Sequence, residues 1–255
     1  MINTCNKIRK KILKISHVAR AAHIASNLSI VELLVFIHKN FKIKKNLDTN
    51  FILSKGHAAL SYYCTLREIG IIKDKELNEY GKNDSNLMCH VSHKVNGVIL
   101  STGSLGHGLP VATGLALAKK IKKKISKTIV LISDGELDEG SNWESFLFAA
   151  HHRLENLIVV LDYNKIQSLD SVKKTINLEP LLSKIKAFNF EVNVVDGHDF
   201  SSLKKGFLFK KKNKPKFIIA NTIKGKGVSF MENKIEWHYK SPDEIDLKKA
   251  LAEIK

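Results

Sequence analysis

Hydrophobic and polar positions along this chain follow two kinds of pattern. Residues 128–132 and 157–161 are almost uninterrupted aliphatic runs, which are typical of strands buried on both faces of a parallel sheet. Ser141 and Glu144 have the spacing of a capping box and predict the start of a helix between these runs. Apolar residues then recur at helical intervals, at Trp143, Phe146, Leu147 and Ala150. The pattern therefore predicts a strand, a helix and a second strand.

The same periodicities predict the remaining elements. Helices are predicted over residues 2–25 and 29–41, after His57 to about Glu68, from Pro110 to Lys123, and over residues 199–211. Short apolar runs predict strands at residues 51–53, 191–195 and 217–220. Residues 81–104 are expected to be irregular, and residues 224–255 to form a glycine-punctuated, then charged, tail.

Strand–helix–strand units of this kind connect parallel strands through a crossover helix. We therefore expect an α/β fold, a doubly wound and mostly parallel sheet with helices on both faces. A chain of 255 residues is large for one core and small for two. Because the sequence contains neither an internal repeat nor a low-complexity linker, residues 1–255 are expected to form a single domain.

Polar residues follow both central strands. Asp134 comes after the first of them and Asn164 after the second. In a parallel sheet both residues emerge at the carboxyl edge, where open α/β folds bind their ligands. A carboxylate and an amide oxygen suit magnesium, which completes its shell with phosphate oxygens and water. The sequence thus predicts a site for a divalent metal and a diphosphate, although Asp-Gly and Tyr-Asn are also ordinary turn residues.

A glycine-rich loop and several histidines add to this prediction. Residues 103–108 contain Gly103, Gly106 and Gly108 and precede a predicted helix, an arrangement that lets backbone N–H groups approach an anion. His57, His90 and His238 lie in or beside predicted loops, and His23 lies near the end of the first predicted helix. A single loop histidine is usually just solvated, so none of these is decisive alone.

The formal net charge of +17, mostly from lysine, raises the question of nucleic acid. Many lysines follow predicted helices, where cations favour the negative end of the helix dipole. No aromatic residues are interleaved with these runs as stacking platforms, which argues against nucleic acid as a partner. A basic field also attracts anionic substrates such as sugar phosphates.

Composition excludes several other classes of protein. The sequence contains no apolar stretch long enough to span a membrane and no signal-peptide pattern. The three cysteines, Cys5, Cys64 and Cys89, show no paired spacing, which argues against a disulfide framework. A cytoplasmic setting is the default expectation.

Six segments of the chain resemble, in order, the sequence motifs of transketolases. They are residues 54–58, 101–106, 133–137, 162–166, 195–199 and 224–232, the last followed by Trp237 and His238. The chain resembles the amino-terminal half of a transketolase, encoded as its own subunit. The resemblance implies the thiamine-diphosphate-binding fold, in a domain of the PP (diphosphate-binding) type.

The resemblance also implies roles for individual residues. Asp134 and Asn164, with the main-chain oxygen of Ile166, would bind Mg²⁺ or another divalent cation such as Ca²⁺ or Mn²⁺. Contacts to thiamine diphosphate would come from His57, Gly103, Ser104, Leu105, Gly135, Asn164 and His238. Three histidines, His23, His90 and His238, would surround the sugar-phosphate substrate and relay protons.

The resemblance implies the transketolase reaction of the pentose phosphate pathway. In this reaction a two-carbon ketol unit is transferred from a ketose phosphate to an aldose phosphate. In transketolases the glutamate that activates the aminopyrimidine ring comes from a later domain, which has no match here. The resemblance therefore implies a partner subunit that carries the carboxy-terminal half, in an α2β2 assembly, with activity only in the complex.

The chain departs from the family pattern at several positions. Ser133 replaces a glycine, His107 replaces a glutamine, and Asp170-Ser171 stands where glycine is frequent. The loops around His23 and His90 lack the family's glycine and proline, the residues that constrain loop conformation most strictly. Alternatives are a deoxyxylulose-phosphate-synthase-like or 2-oxoacid-dehydrogenase-like subunit, or a non-catalytic nucleic-acid-binding protein.

Overall fold

The computed structural model describes residues 1–41, 43, 49–208 and 213–255. Its sheet consists of β1 (Asn50–Leu53), β2 (Thr128–Ser133), β3 (Leu157–Tyr163), β4 (Glu191–Asp196) and β5 (Lys216–Asn221). The strands are ordered β1-β2-β3-β5-β4, and every neighbouring pair is parallel. All carboxyl ends of the strands therefore lie at one edge of the sheet.

The helices surround this sheet. They are α1 (Ile2–Ala19), α2 (Ile24–Leu28), α3 (Val31–Asn40), α4 (Ala59–Glu68), α5 (Asp74–Leu77), α6 (Gly108–Ile121), α7 (Gly140–His151), α8 (Val172–Thr175), α9 (Leu181–Ala187), α10 (Phe200–Gly206) and α11 (Glu244–Glu253). Short 3₁₀ turns occupy Gly56–Ala58, Gly135–Asp138 and Ile235–His238. None of the helices in the described part of the chain is long and apolar enough to cross a bilayer.

The two faces of the sheet bury separate hydrophobic cores, because successive strand residues point to opposite sides. Ile129 and Leu131 pack with α1, α3 and α4 on one face. Val130 and Ile132 pack with α6, α7 and α9 on the other. This is the doubly wound arrangement with helices on both faces that the sequence predicts, and the fold-class prediction is confirmed.

All five predicted strands are present, with ends that differ from the prediction by no more than two residues. The prediction of one continuous helix over residues 2–25 is wrong, because two separate helices occupy this segment. Arg20 has a left-handed conformation with φ 47°, and its N–H bonds the carbonyls of Ser16 and His17 and so ends α1. A separate helix, α2, begins after His23. The apolar periodicity continues through this break, so it gives no warning of it.

Two predictions about helix ends also need correction, and so does the prediction for the tail. The helix after β2 begins at Gly140 with Glu139 as its N-cap, so Ser141 is not the cap; its hydroxyl donates to the carbonyl of Gly106 instead (2.6 Å). α10 ends at Gly206, and residues 209–211 of the predicted helix lie outside the described residues. The charged tail contains α11, which begins with a capping box between Asp243 and Asp246.

Candidate active site

Asp134 and Asn164 lie side by side at the carboxyl edge of the sheet. Ser133 and Asp162 are register partners at the ends of β2 and β3, so the two strands end at the same level. Asp134 accepts hydrogen bonds from the backbone N–H of Gly135 (2.8 Å) and of Lys165 (2.7 Å). Because Lys165 directly follows Asn164, this bond brings the carboxylate next to the amide.

The amide of Asn164 is held in one orientation. Its Nδ2 donates to Asp162 Oδ2 (3.0 Å), and its Oδ1 accepts from the N–H of Ile166 (3.1 Å). The three predicted metal-binding residues, Asp134, Asn164 and Ile166, line a single cavity of about 220 Å³. The convergence predicted from the sequence is therefore present in the structure.

The cavity collects nearly all of the sequence-predicted site residues. Its lining includes His23, His57, His90, Gly103, Leu105, Asp134, Gly135, Asn164, Ile166 and His238. Ser104 is the exception, since its side chain is exposed and does not line the cavity. The structure thus brings these residues together at one cavity. The roles that the resemblance assigns to them stay predictions.

Histidines form one wall of this cavity. The ring centroid of His23 lies 5.3 Å from that of His57, 5.9 Å from that of His90 and 4.8 Å from that of His238. The N–H of His23 donates to the carbonyl of His238 (2.7 Å), and its buried Nδ1 has no hydrogen-bond partner among the described residues. An unpartnered polar atom at a cavity wall indicates a place for a polar ligand.

The position of His23 depends on an unusual backbone conformation. Its φ is 64°, in the left-handed region that non-glycine residues adopt mainly at special sites. Proline, which the family has next to this histidine, is replaced by Ile24, the first residue of α2.

The histidines are neutral near pH 7. Burial, followed by the positive charges around the cavity, lowers the pKa of His23 to about 4 and that of His238 to about 3. The pKa of His57 lies well below its ordinary value for the same reasons. A neutral imidazole has one N–H donor and one nitrogen acceptor, so each of these rings can both donate and accept a proton in a hydrogen bond.

Asp134 is a buried carboxylate without a counter-charge in direct contact. Its exposed fraction is 2%, and within the described ranges no lysine or arginine forms an ion pair with it. Burial and the nearby charge of Asp162 raise the pKa of Asp134 to about 7. A bound cation would stabilise the ionised form of this group, as expected of a metal ligand.

Sequence reasoning missed the buried ion pair between Asp162 and Lys55, of which Lys55 lines the cavity. Lys55 Nζ lies 2.5 Å from Asp162 Oδ2, and the hydroxyls of Ser29 (2.8 Å) and Thr222 also donate to this carboxylate. Burial by itself would raise the pKa of Asp162, but the Lys55 ammonium holds it below its ordinary value. The pair supports the Asp162 oxygen that orients the Asn164 amide.

Lys224 is a second missed lysine at the cavity. Its Nζ donates to the carbonyls of Ile166 (2.9 Å) and Gln167 (3.0 Å) and lies 2.9 Å from Nδ1 of His238. Burial and the charge of Lys55 lower its pKa to about 8. Isolated lysines usually lie on the surface, so only the membership of both lysines in family-like motifs could have indicated their position.

A buried carboxylate, Glu136, holds the glycine-rich loop against the sheet. It accepts hydrogen bonds from the N–H of Gly106 (3.0 Å) and from the hydroxyl of Ser54. The loop approaches the cavity closely, and a Cβ at Gly103 would lie 3.5 Å from the ring of His90. A Cβ at Gly135, on the opposite loop, would lie 3.3 Å from the side chain of Gln167.

The chain matches a known family over almost all of its length. Residues 3–252 match the family model for the transketolase, thiamine diphosphate binding domain. The chain belongs to the transketolase family. The predicted family and the transferase class are thereby confirmed.

Two relatives named as separate subunits align with this family member over nearly their full length. The chain is 43% identical to an apulose-4-phosphate transketolase subunit from Actinobacillus succinogenes, over 97% of this chain and 93% of that protein. It is 35% identical to the 6-deoxy-6-sulfo-D-fructose transketolase subunit SqwG of a Clostridium species, over 98% of this chain and 94% of that protein.

Solved transketolase structures share the fold. The enzyme from Leishmania mexicana superimposes with a TM-score of 0.88 and 25% identity, covering 99% of this chain and 41% of that chain. The Campylobacter jejuni enzyme gives a TM-score of 0.85 and 27% identity, covering 99% of this chain and 42% of that chain. The chain thus spans about two fifths of these transketolases, and the predicted thiamine-diphosphate-binding fold is confirmed.

Proposed function

We propose that this protein is the cofactor-binding subunit of a two-subunit transketolase. It would transfer a two-carbon ketol unit from a ketose phosphate to an aldose phosphate, with thiamine diphosphate and Mg²⁺. The observation that carries this proposal is the cavity at the carboxyl edge of the sheet, which Asp134, Asn164 and Ile166 line together with the histidine wall. The family to which the chain belongs supports the same assignment.

The donor set fits a hard divalent cation. A carboxylate, an amide oxygen and a main-chain oxygen are ligands that Mg²⁺ accepts, and Ca²⁺ or Mn²⁺ uses the same kinds of group. The buried carboxylate of Asp134 has no ion-pair partner among the described residues, and a metal would provide its missing counter-charge. We therefore assign Asp134, Asn164 and Ile166 as the metal-binding residues.

The rest of the cavity fits a diphosphate. Gly103, Leu105 and Gly135 bring main chain to the cavity wall, while His57 and His238 bring imidazole N–H groups. Lys55 and Lys224 also line it, and their positive charges would offset part of the phosphate charge. Ser104 would act through its main chain, because its side chain faces solvent.

When bound, thiamine diphosphate supplies a nucleophilic carbon and an electron sink, which allow a carbon–carbon bond to break and reform. The protein's own task is to bind, orient and handle protons. His23, His90 and His238 surround the cavity as neutral rings, and we assign them to contact the sugar hydroxyls and to hold or release protons there.

The proposed partner carries the carboxy-terminal half of the enzyme, in an assembly of two copies of each protein. The two relatives named as subunits support this division, because their lengths correspond to that of this chain. A single domain over residues 1–255 and a cytoplasmic setting belong to the same proposal.

Complementation tests the proposed function. The chain alone is expected to show no ketol transfer, and addition of the protein that resembles the missing half should restore it in the presence of Mg²⁺ and thiamine diphosphate. Transfer by the lone chain would contradict the obligate partner.

A donor panel tests the chemistry. It should include ketose phosphates, 6-deoxy-6-sulfo-D-fructose and apulose 4-phosphate, because relatives are named for the last two. Turnover of pyruvate or another 2-oxoacid in place of ketoses would favour the other thiamine-diphosphate enzymes considered above.

A further inference from the structure

Tyr239 is the only phenylalanine, tyrosine or tryptophan among the described residues that lines the cavity. It directly follows His238, and its ring centroid lies 4.8 Å from that of His238 and 5.9 Å from that of His23. The residue is nevertheless 63% exposed. A residue that lines the cavity and is also largely exposed lies where the cavity meets solvent, and in this case it lies there beside the histidine wall.

The backbone that carries this ring is fixed on both sides. Before Tyr239, the carbonyl of His238 accepts a hydrogen bond from the N–H of His23 (2.7 Å). After it, the hydroxyl of Ser241 donates to the carbonyl of Ser16 (2.9 Å). The position of the ring at the cavity is therefore set by the fold, although the ring itself is exposed.

The fold makes no use of the polar end of this side chain. The hydroxyl of Tyr239 has no hydrogen-bond partner in the part of the chain that the structure describes. A single exposed tyrosine is ordinary on a protein surface and needs no function. This one differs because its ring contacts His23 and His238, so a ligand that reaches these histidines from the cavity also comes within reach of Tyr239.

The chemistry of a ketol transfer indicates which part of a sugar would meet this ring. The bond that breaks separates the first two carbons of the ketose from the rest of its chain. Those two carbons must reach the cofactor inside the cavity, so the remaining carbons extend towards solvent. The hydrogens on these carbons form an apolar surface, and aromatic rings in ligand sites pack against such surfaces.

We propose that Tyr239 is a specificity-determining residue, whose ring packs against the part of the sugar phosphate beyond the two transferred carbons. This proposal rests on the proposed function and deepens it, because it makes the length of the carbon chain a criterion for the substrate. Contacts to the transferred carbons cannot supply this criterion, since those carbons are the same in every ketose donor. The acceptor aldose takes the place that the departing aldose leaves, so Tyr239 acts on both.

The first test compares a long and a short acceptor in the assembled enzyme, with partner, Mg²⁺ and thiamine diphosphate. With one ketose phosphate as donor, kcat/KM is measured for a five-carbon aldose phosphate and for glycolaldehyde, which ends one carbon after its carbonyl group. The ratio of the two values is the specificity. Tyr239→Ala should lower this ratio about tenfold or more, and Tyr239→Phe should retain most of it, because the ring makes the contact.

A purely structural role of Tyr239 predicts a different result. Both kcat/KM values would then fall together in Tyr239→Ala, and the unchanged ratio would overturn the proposal. A ratio that rises would overturn it as well, since the ring would then exclude long sugars instead of binding them.

Ile245→Ala is the matched control. Ile245 is 65% exposed, close to the value of Tyr239, but it does not line the cavity, and its variant should keep the native ratio. Association with the immobilised partner is measured on the same variants. A loss of partner affinity in Tyr239→Ala, together with a native ratio, would assign Tyr239 to the subunit interface and overturn its role in specificity.

The second test measures binding without turnover. A five-carbon alditol phosphate lacks the carbonyl group that reacts, so its affinity for the assembled complex is measured by titration calorimetry. Tyr239→Ala should weaken this binding about tenfold, whereas Ile245→Ala should not. Equal affinities of the native and Tyr239→Ala complexes would overturn the contact with the sugar. A native complex that binds the alditol phosphate through Tyr239 but transfers no ketol unit would instead contradict the proposed function and leave the contact established.

Discussion

Asp134 is the side chain on which the candidate metal site depends most. It is almost fully buried, it bonds two backbone N–H groups at the strand ends, and burial raises its pKa to about 7. Such a group costs folding free energy when it is ionised without a counter-ion. Its presence at a ligand-binding edge is therefore better explained by function than by stability.

Replacing Asp134 by alanine should lower the metal-dependent affinity for thiamine diphosphate by at least about a hundredfold, because the candidate carboxylate ligand is lost. Thermal unfolding of the metal-free variant should stay close to that of the native chain, since removal of a buried carboxylate offsets the loss of its two backbone hydrogen bonds. Calorimetry with Mg²⁺ and cofactor, in the presence of the partner, measures the binding.

Asp170→Ala is the matched control for this prediction. Asp170 belongs to the same loop region as Ile166, but its carboxylate is 39% exposed and pairs with Lys174. The control should bind the cofactor normally. Equal losses in both variants would indicate a general effect of charge rather than a metal ligand at Asp134.

Some site residues could be predicted from the sequence and others could not. Asp134 and Asn164 could be predicted because they follow two recognisable strands. Lys55 and Lys224 could not, because a lone lysine is ordinarily an exposed residue and only tertiary contacts show that both are 1% exposed. Asp162, the partner of Lys55, is distant from it in sequence. His238, the partner of Lys224, is separated from it by an irregular segment.

At the scale of elements, strands were predictable and helix ends were not. An apolar run such as that of β3 is sufficient to define a buried strand, since both of its faces must be apolar. Helix ends depend on contacts made in three dimensions. Ser141 has the sequence of a cap, yet its hydroxyl bonds Gly106, which lies 35 residues away. Such a contact leaves no periodic pattern in the sequence.

The start of α6 tests how tightly the glycine loop is packed. A Cβ at Gly108 would lie 2.2 Å from Oγ and 2.5 Å from Cβ of Ser54, a buried residue that also donates to Glu136. Gly108→Ala should destabilise the chain by about 1–3 kcal/mol and weaken cofactor binding, because the loop must move away from β1. Urea unfolding and calorimetry measure the two effects.

Gly114→Ala is the control within the same helix. A Cβ at Gly114 would meet no atom within 4 Å, and alanine favours a helix over glycine by about 1 kcal/mol. This variant should therefore be slightly more stable and bind cofactor unchanged. If Gly114→Ala were destabilised as much as Gly108→Ala, the loss at Gly108 could not be attributed to the contact with Ser54.

A buried charge network joins α1, α3 and the connection after β4. Both carboxylate oxygens of Glu32 lie 2.7 Å from the guanidinium of Arg9, and Oε2 lies 2.9 Å from Nδ1 of His198. Burial alone would raise the pKa of Glu32, but the hydrogen bonds from His198 and Arg9 outweigh it and lower the pKa to about 2.

The pKa of Glu32 predicts how its stabilising effect depends on pH. Because the folded-state pKa lies below the ordinary value of 4.5, the ionised carboxylate stabilises the fold above pH 4.5, and this contribution is lost as the pH falls towards 2. Glu32→Gln should lower the free energy of unfolding by about 3 kcal/mol at pH 7 and by clearly less at pH 3. Urea unfolding at the two pH values measures this, and an equal loss at both would argue against the charge network.

At the scale of the whole molecule, the excess of positive charge has more than one explanation. Part of it is internal, since Lys55, Lys216 and Lys224 are buried. Lys55 is paired with Asp162, whereas Lys224 lines the candidate cavity, where an anionic ligand would balance its charge. The net charge of +17 therefore does not by itself require a polyanionic partner such as nucleic acid.

Two exposed apolar side chains belong to segments that line the cavity. Leu169 is 78% exposed and follows Ser168, which lines the cavity, and Tyr239 is 63% exposed beside His238. The proposed function requires a second protein that covers this cavity, and exposed apolar side chains beside it are the candidates for contact with that protein. In the proposed enzyme the covering protein is the partner, the carboxy-terminal subunit, which would close the cavity over the bound cofactor.

Leu169→Glu should therefore weaken association with the partner about tenfold or more, because a charge would be buried at the interface, and should reduce ketol transfer at limiting partner concentration. Ile125→Glu is the matched control: Ile125 is 94% exposed but precedes β2, at the amino edge of the sheet and away from the cavity. Interferometry with the immobilised partner measures both affinities. Equal affinities for Leu169→Glu and the native chain would place the partner elsewhere on the surface, whereas a loss in both variants would mean that added negative charge, and not position, controls association.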